Sequence, residues 1–199
     1  MFLGNSRNQS ALANVLDFSG TITSGGTAQK LLPQQPGRTY LLVENISSGN
    51  LFLGIGPAIG TAVLTNGVVT SVTINDGGIS YTKAPKVLFL GGVFEGNYDE
   101  TPGARWGGAV ATASATISGG AVNAVNIANG GSGYLTAPKV LFFNPLPELG
   151  GGSCTPSATA GILLATNGSF VMESSVCVPD AIGIFGATTS QAFTCKVAF

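Results

Sequence analysis

The sequence uses one phrase twice: GGISYTKAPKVLF at residues 77–89 returns as GGSGYLTAPKVLF at residues 130–142. When the comparison is extended to residues 67–89 and 120–142, no gap is needed and 13 of the 23 aligned positions are identical. Self-similarity of this kind indicates a duplicated supersecondary unit. Neither copy has enough apolar residues for a core of its own, so we expect the copies to bury each other's apolar face.

Each copy has the pattern of two strands separated by turns. Asn66-Gly67 and Gly119-Gly120 are typical of tight hairpin turns, because Asn and Gly tolerate positive φ. After the first strand, an Asx-Gly-Gly sequence predicts a sharp turn in which the Asx side chain bonds its own backbone. We expect the following tyrosine to lie over that turn and the proline to begin the next strand. These equivalent residues are Asp76 and Asn129, Tyr81 and Tyr134, and Pro85 and Pro138.

The rest of the chain also favours strands over helices. Apolar residues rarely recur at helical spacing, so only the first twenty residues could hold a turn of helix. Short runs of strand-forming residues are bounded by turn residues, which predicts an all-β fold. The predicted strands are Thr39–Val43, Leu51–Ile55, Val68–Ile74, Val87–Leu90, Val110–Ile117, Ala121–Ile127, Val140–Phe143, Ser169–Glu173, Ile182–Phe185 and Phe193–Phe199.

The repeated segment interrupts two strand-rich stretches that have the pattern of two halves of one sandwich. We therefore predict a jelly-roll-like β-sandwich base domain that carries an inserted, internally duplicated β-hairpin domain. The stretch before the base is polar and turn-rich, as expected of an extended arm that orders only on docking. The predicted divisions are an arm at 1–36, the base at 37–64 and 148–199, and the insert at 65–147 with repeats at 67–90 and 120–143.

The composition restricts the chemistry that the chain can perform. The 199 residues include no histidine, and charged residues make up 9% of the chain, with a net charge of −1. Without histidine, Ser-His-Asp and Cys-His sites are excluded, as is metal ligation by imidazole. We therefore predict a non-enzymatic protein with no catalytic residue, no cofactor and no metal site. An enzyme is the least favoured hypothesis.

The same composition argues against two classes of partner. No run of Lys or Arg is present to follow a phosphate backbone, so nucleic acid is not expected as a partner. No apolar stretch approaches the roughly 18 residues that a membrane span needs, and the first residues lack the pattern of a secretory leader. We therefore expect synthesis in the cytoplasm and no membrane partner.

Three cysteines, Cys154, Cys177 and Cys195, fit neither an even disulfide framework nor a paired metal motif. Cys177 and Cys195 lie in apolar strand-like runs, which predicts buried thiols. Cys154 lies in the glycine-rich stretch GGGSCTP, where we expect an accessible loop. Its redox state is left open by the sequence.

One long loop carries the best candidates for a recognition surface. Tyr98, Arg105 and Trp106 lie close together in the sequence, and aromatic residues and Arg dominate binding hot spots. The alternative for Trp106 is a place in the packed core. The neighbouring stretch EGNYDE, at residues 95–100, could collect carboxylates around Ca²⁺, but its spacing lacks a calcium-loop pattern and favours a solvated loop.

Several stretches resemble one class of known proteins. RTYLLVEN at residues 38–45, LFLGIG at 51–56 and VPDAIGIFG at 178–186 are similar to segments of small β-sandwich proteins in the virions of tailed bacteriophages. This class includes capsid decoration (cement) proteins and head- or tail-associated proteins. The Gly-Gly-x-x-Tyr-x-x-x-Pro unit of the repeat resembles a unit common in phage virion proteins and fibres.

The resemblance implies a structural role in a virion. We expect a homotrimer that binds the major capsid protein on the outer capsid surface and clamps neighbouring shell subunits. The low charge and many small residues agree with surfaces that symmetric neighbours cover. The alternative is a fibre or host-recognition module that binds a carbohydrate or receptor through Tyr98, Arg105 and Trp106.

Overall fold

The structure is a computed structural model that describes residues 15–92, 108–144, 150–173 and 177–199. These residues form fifteen strands and contain no helix, so the predicted all-β, sandwich-like fold is confirmed. No membrane-spanning helix is therefore found within the described ranges. The strands are β1 (Leu16–Asp17), β2 (Gly20–Thr21), β3 (Gln29–Leu32), β4 (Tyr40–Asn45), β5 (Leu51–Ile55), β6 (Ile59–Thr65), β7 (Val68–Asp76), β8 (Lys86–Leu90), β9 (Thr112–Ser118), β10 (Ala121–Asn129), β11 (Lys139–Phe143), β12 (Ile162–Leu164), β13 (Ser169–Glu173), β14 (Ile182–Gly186) and β15 (Ala192–Ala198).

Two antiparallel sheets enclose the first core. Sheet I has the order β1–β15–β4–β13, with β2 also paired to β15, and sheet II has the order β12–β5–β14–β3. Alternation along β4 shows how the core is built, because Leu41 and Val43 are buried while Leu42 and Glu44 lie on the opposite face. The buried residues of this core are Ile22, Leu32, Leu41, Val43, Leu51, Leu53, Leu164, Ile182, Ile184, Phe193, Cys195 and Val197.

The duplicated segment forms sheet III, whose order is β10–β9–β8–β11–β6–β7. Each repeat contributes three strands, and equivalent residues are 53 positions apart, as for Ile59 and Thr112 at the starts of β6 and β9. The repeat is therefore longer than the alignment indicated. Within β6 and β9 the two copies share only Ala62 and Ala115, both buried, which is why the sequence comparison began later.

The two repeats exchange their third strands. Strand β8 of the first repeat lies between β9 and β11 of the second, and β11 lies between β8 and β6. Both repeats therefore contribute to one buried cluster, which confirms that the copies bury each other's apolar face. Its members are Ala58, Ala62, Val69, Tyr81, Val87, Phe89, Ala111, Ala115, Val122, Tyr134, Val140 and Phe142.

Backbone hydrogen bonds cross between the repeats at equivalent positions. They bring the outer strands β7 and β10 together, so sheet III is nearly closed into a barrel. The N–O distances of these four bonds agree between the copies to within 0.1 Å. They are 2.8 Å for Val69 N to Gly130 O, 2.8 Å for Val122 N to Gly77 O, 2.9 Å for Tyr81 N to Gly120 O and 3.0 Å for Tyr134 N to Gly67 O.

The predicted hairpin turns are confirmed. Asn66 and Gly67 have φ values of 50° and 74°, and Gly119 and Gly120 have values of 59° and 80°. Two consecutive residues with positive φ are the requirement of a type I′ turn, whose twist matches that of the flanking strands. The residue choice in both copies thus follows from backbone geometry.

The Asx turns and the tyrosines also have their predicted places. Asp76 Oδ1 accepts a hydrogen bond from the N–H of Gly78 at 2.8 Å, and Asn129 makes the equivalent bond at 2.8 Å. Gly78 needs its glycine, because its φ is 70° and a Cβ there would meet the Tyr81 ring. The hydroxyl oxygen of Tyr81 accepts a bond from the N–H of Ala58 at 2.7 Å. Tyr134 repeats this contact in the second copy.

The beginning of the described chain differs from the extended arm expected for residues 1–36. Strands β1 and β2 pair with β15, and β3 pairs with β14, so residues 16–32 belong to the two sandwich sheets. Ile22 and Leu32 are buried in the core between those sheets. These strands are two to four residues long, which is too short for a periodicity to be recognised in the sequence.

Sheet III also begins earlier than the predicted insert, since β6 starts at Ile59 rather than after residue 64. Strand β6 begins inside the GIGPAIG stretch of residues 54–60, and its glycine and threonines conceal its alternation in the sequence. The bounds of the arm and of the insert thus differ from the predicted ones at these strands, while the division into a base domain and an inserted domain stays a prediction.

Replacing Ile22 by Ala should destabilise the fold by about 2–5 kcal/mol, because it leaves a cavity in the core between sheets I and II. Ile22 is 1% exposed. The matched control is Ile46→Ala, since Ile46 is 54% exposed and the change should alter the free energy of unfolding by no more than about 0.5 kcal/mol. Urea unfolding measures both. Equal, small losses for the two variants would show that the residues before β3 are not part of the core.

Candidate functional site

The predicted recognition residues Tyr98, Arg105 and Trp106 lie outside the described residues, as does the EGNYDE stretch. Their role therefore stays a prediction. Across the described ranges, no group of three or more Cys, Asp or Glu side chains is placed to hold a metal ion. The described chain offers other polar groups, cavities and strand faces as candidate sites.

The glycine-rich stretch GIGPAIG, at residues 54–60, connects sheet II to sheet III. Gly56 has a φ of 100°, and its carbonyl oxygen accepts a bond from the N–H of Cys154 at 2.7 Å. The N–H of Ala58 is held by the Tyr81 hydroxyl. The carbonyl oxygen of Gly56 and the N–H of Ala58 are thus used within the fold, and the stretch connects the two sheets.

All three cysteines are free thiols in inert surroundings. Cys195 lies in the core, and burial raises the pKa of its thiol to about 12. Cys177 packs against the same core, and burial raises its pKa as well. Cys154 is half-buried, which corrects the expected accessible loop, because its Sγ donates to the carbonyl oxygen of Ile55 at 3.4 Å. Burial likewise raises the pKa of Cys154, so none of the three favours the reactive thiolate.

Both ends of the RTYLLVEN stretch are polar residues that close loops. Arg38 is buried, and its guanidinium donates to the carbonyl oxygens of Pro33, Val178 and Asp180 at 2.7–3.1 Å. Burial lowers the pKa of Arg38 and raises that of the Asp180 carboxyl, which the charge of Arg38 partly offsets. The Arg38 guanidinium thus binds backbone carbonyl oxygens that close loops, and it does not form an acid–base pair with Asp180.

Asn45 is fully buried, with its side-chain amide bonded on both sides. Nδ2 donates to the carbonyl oxygens of Gly49 and Leu164 at 2.8 and 2.9 Å, and Oδ1 accepts from the N–H of Ser47 at 3.0 Å. Asn45-Ile46-Ser47 matches the Asn-x-Ser pattern of glycosylation sites, but the Asn45 side chain holds a loop in place. An attached sugar would require Asn45 to leave the core.

A cavity of about 290 Å³ opens where residues 30–35 meet the repeat. Its lining includes Lys30, Gln34, Ser80 and Thr82. Gln34 Oε1 accepts a bond from the N–H of Gly151 at 2.8 Å, while its Nε2 has no partner among the described residues. Of the lining side chains, only Gln34 has a buried polar atom without a partner among the described residues, and a single unpaired donor does not define a ligand.

Asp76 joins the first repeat to the segment around Thr155. Its carboxylate accepts from the Thr155 N–H at 2.8 Å and from the Thr155 hydroxyl at 2.7 Å, in addition to its Asx-turn bond. Beside it, Ile79 and Ser153 form an antiparallel bridge. The first repeat has Asp76 where the second has Asn129, because the second carboxylate oxygen is needed to bind the segment around Thr155.

The outward side of the central β8–β11 pair is an exposed apolar face. Leu88 and Leu141 lie directly opposite each other at its centre, and Leu88 is 41% exposed. Because these residues are 53 positions apart, the local two-fold axis relating the repeats passes between them. We call this surface the lysine face, and its three cross-strand pairs are Lys86 with Phe143, Leu88 with Leu141, and Leu90 with Lys139.

The outward side of the β4–β13 pair in sheet I has the same plan with the opposite charge. Leu42 lies opposite Val171 at its centre, and Val171 is 46% exposed. We call this surface the glutamate face, and its three cross-strand pairs are Tyr40 with Glu173, Leu42 with Val171, and Glu44 with Ser169.

These two faces were missed in the sequence, although part of the signal was present. Alternation in KVLF places Lys and Leu on one side of the strand and Val and Phe on the other, and both copies of the phrase contain it. What the sequence does not show is that β8 and β11 pair with each other. That pairing turns two separate strands into one surface.

The comparisons with known proteins give no further assignment. The chain matches no protein-family model, no curated protein and no solved structure. The candidate functional site therefore consists of the lysine face and the glutamate face.

Replacing Asp76 by Asn should destabilise the fold by about 1–3 kcal/mol, because the amide retains one acceptor oxygen and leaves a Thr155 donor unpaired. The matched control is Asn129→Asp at the equivalent turn, where the Asx bond to Gly131 is preserved. The control should have little effect on the free energy of unfolding, measured by urea denaturation. A larger loss for Asn129→Asp than for Asp76→Asn would contradict the role of Asp76 at this junction.

Proposed function

We propose that this chain is a non-enzymatic structural protein of a tailed-phage virion, a decoration protein that binds and stabilises the outer capsid surface. The observation that carries the proposal is the presence of two exposed faces with apolar centres on paired strands, those of β8–β11 and β4–β13, which suit association of copies with one another and with a shell. A contiguous exposed apolar face with a polar rim marks a protein–protein interaction site. The resemblance of residues 38–45, 51–56 and 178–186 to segments of phage virion proteins supports the choice of particle.

The polar groups of the described chain support a binding role. Arg38, Asn45 and Asp76 have the charges or amides that a catalytic site would need, and each bonds backbone or side-chain groups of the fold. The thiols have raised pKa values and are inert. The described chain therefore offers a partner mainly exposed apolar surface, which suits protein–protein association and not catalysis.

The partner that this proposal assigns is the major capsid protein in its assembled lattice. A clamp must bind the lattice more tightly than it binds separated subunits, and several linked copies achieve this through effective concentration. A homotrimer at a three-fold position would provide such linkage. The protein would be made in the host cytoplasm and would reside on the virion surface.

The direct test compares phage particles that carry this chain with particles from which its gene has been deleted. Binding only to the intact shell stabilises it by about 2.7 kcal/mol per site at a hundredfold excess over the dissociation constant. Coated particles should therefore release their DNA at a higher temperature, as followed with a DNA-binding dye. Adding the purified protein back to bare particles should restore the higher rupture temperature.

Equal rupture temperatures for bare and coated particles would contradict the proposal. The alternative, a fibre or host-recognition module, predicts a different pattern. Bare particles would be as heat-stable as coated ones but would adsorb poorly to bacteria, and the purified protein would bind cells. Imaging separates the two as well, since a decoration protein occupies every equivalent lattice position and an adhesin only a vertex or the tail.

A further inference from the structure

We infer that copies of this chain associate head to tail, with the lysine face of one copy bound to the glutamate face of the next. The inference deepens the proposed function by specifying how the copies of the homo-oligomer contact each other, and its test uses the purified chain without a phage particle. It rests on the match between two surfaces that the fold presents on different sheets, sheet III and sheet I.

The two faces have the same layout. Each consists of three consecutive cross-strand pairs on two antiparallel strands, and the central pair is aliphatic in both. In each outer pair, one member is charged and the other is not. The charges therefore lie at diagonal corners, Lys86 and Lys139 on one face and Glu44 and Glu173 on the other.

The spacing of the charges also matches. On each face the charged residues are separated by four residues along the strand and by one strand spacing across it. With about 3.4 Å per residue and about 4.8 Å between strands, the Cα–Cα diagonal is about 14 Å on both faces. Stacking the faces thus places each lysine near one glutamate. In the same arrangement, Leu88 and Leu141 cover Leu42 and Val171.

The neighbouring charge on sheet I does not oppose this arrangement. Lys196 of β15 lies beside Leu42, but its ammonium is bound to the Asp17 carboxylate. The positive charge next to the glutamate face is therefore neutralised within the chain. Glu44 and Glu173 form no salt bridge among the described residues.

Charge favours a second copy in this head-to-tail order over a symmetric dimer. Packing two lysine faces together would bring four lysines into one contact, and two glutamate faces would bring four glutamates together, each with a like-charge penalty. Lysine face to glutamate face is the favourable combination. Such a heterologous contact closes into a ring or continues as a chain, depending on the rotation between copies.

Sedimentation velocity of the purified full-length chain at increasing concentration tests this directly. The natural chain should associate, and both Lys86→Glu/Lys139→Glu and Glu44→Lys/Glu173→Lys should weaken association at least about tenfold, because each creates like-charge contacts. Mixing the two variants in equal amounts should restore association, since each now offers the face that the other needs. A chain with all four changes should associate like the natural one.

The control for net charge is Lys30→Glu/Lys83→Glu, which makes the same change of charge as Lys86→Glu/Lys139→Glu at two exposed lysines that belong to neither face and should associate like the natural chain. Circular dichroism checks that every variant retains its β structure. The inference is overturned if the natural chain stays monomeric at the highest concentration reached, if either face variant associates normally, or if folded variants fail to associate when mixed.

Discussion

Sheet III depends on the exchange of third strands between the repeats. Strand β8 completes the sheet of the second copy and β11 that of the first, so the apolar side of either copy is covered only when both are present. The crossing bonds from Tyr81 to Gly120 and from Tyr134 to Gly67 fix this arrangement with the same geometry twice. Duplication is thus the means by which a short, glycine-rich unit obtains a core.

The same exchange of third strands creates the lysine face. Because β8 and β11 are neighbours, Leu88 meets Leu141 on the local two-fold axis, and the equivalent lysines Lys86 and Lys139 come to diagonal corners of one face. The base sheet presents a matching face without any internal repeat, through Glu44 and Glu173. Each face is thus produced by the pairing of two strands.

The sequence predicted the features that depend on local chemistry. Positive φ at Asn66-Gly67, the Asx turn at Asp76 and the tyrosine over that turn each follow from residue type over a few positions. It did not predict β6 as part of the repeat, because β6 and β9 share only one alanine, nor the strands before residue 33, which are only two to four residues long. The lysine face was also beyond it, since the face arises from a pairing between strands more than fifty residues apart, and no local pattern specifies that pairing.

Native-state hydrogen exchange tests the central claim, the interdependence of the repeats, most directly. The amides of Val69, Tyr81, Val122 and Tyr134 donate the four bonds that cross between the copies. If neither copy holds its structure alone, all four should exchange through one cooperative opening with the same free energy and the same denaturant dependence. Two separate levels, with one repeat's amides exchanging while the other's remain protected, would contradict the account.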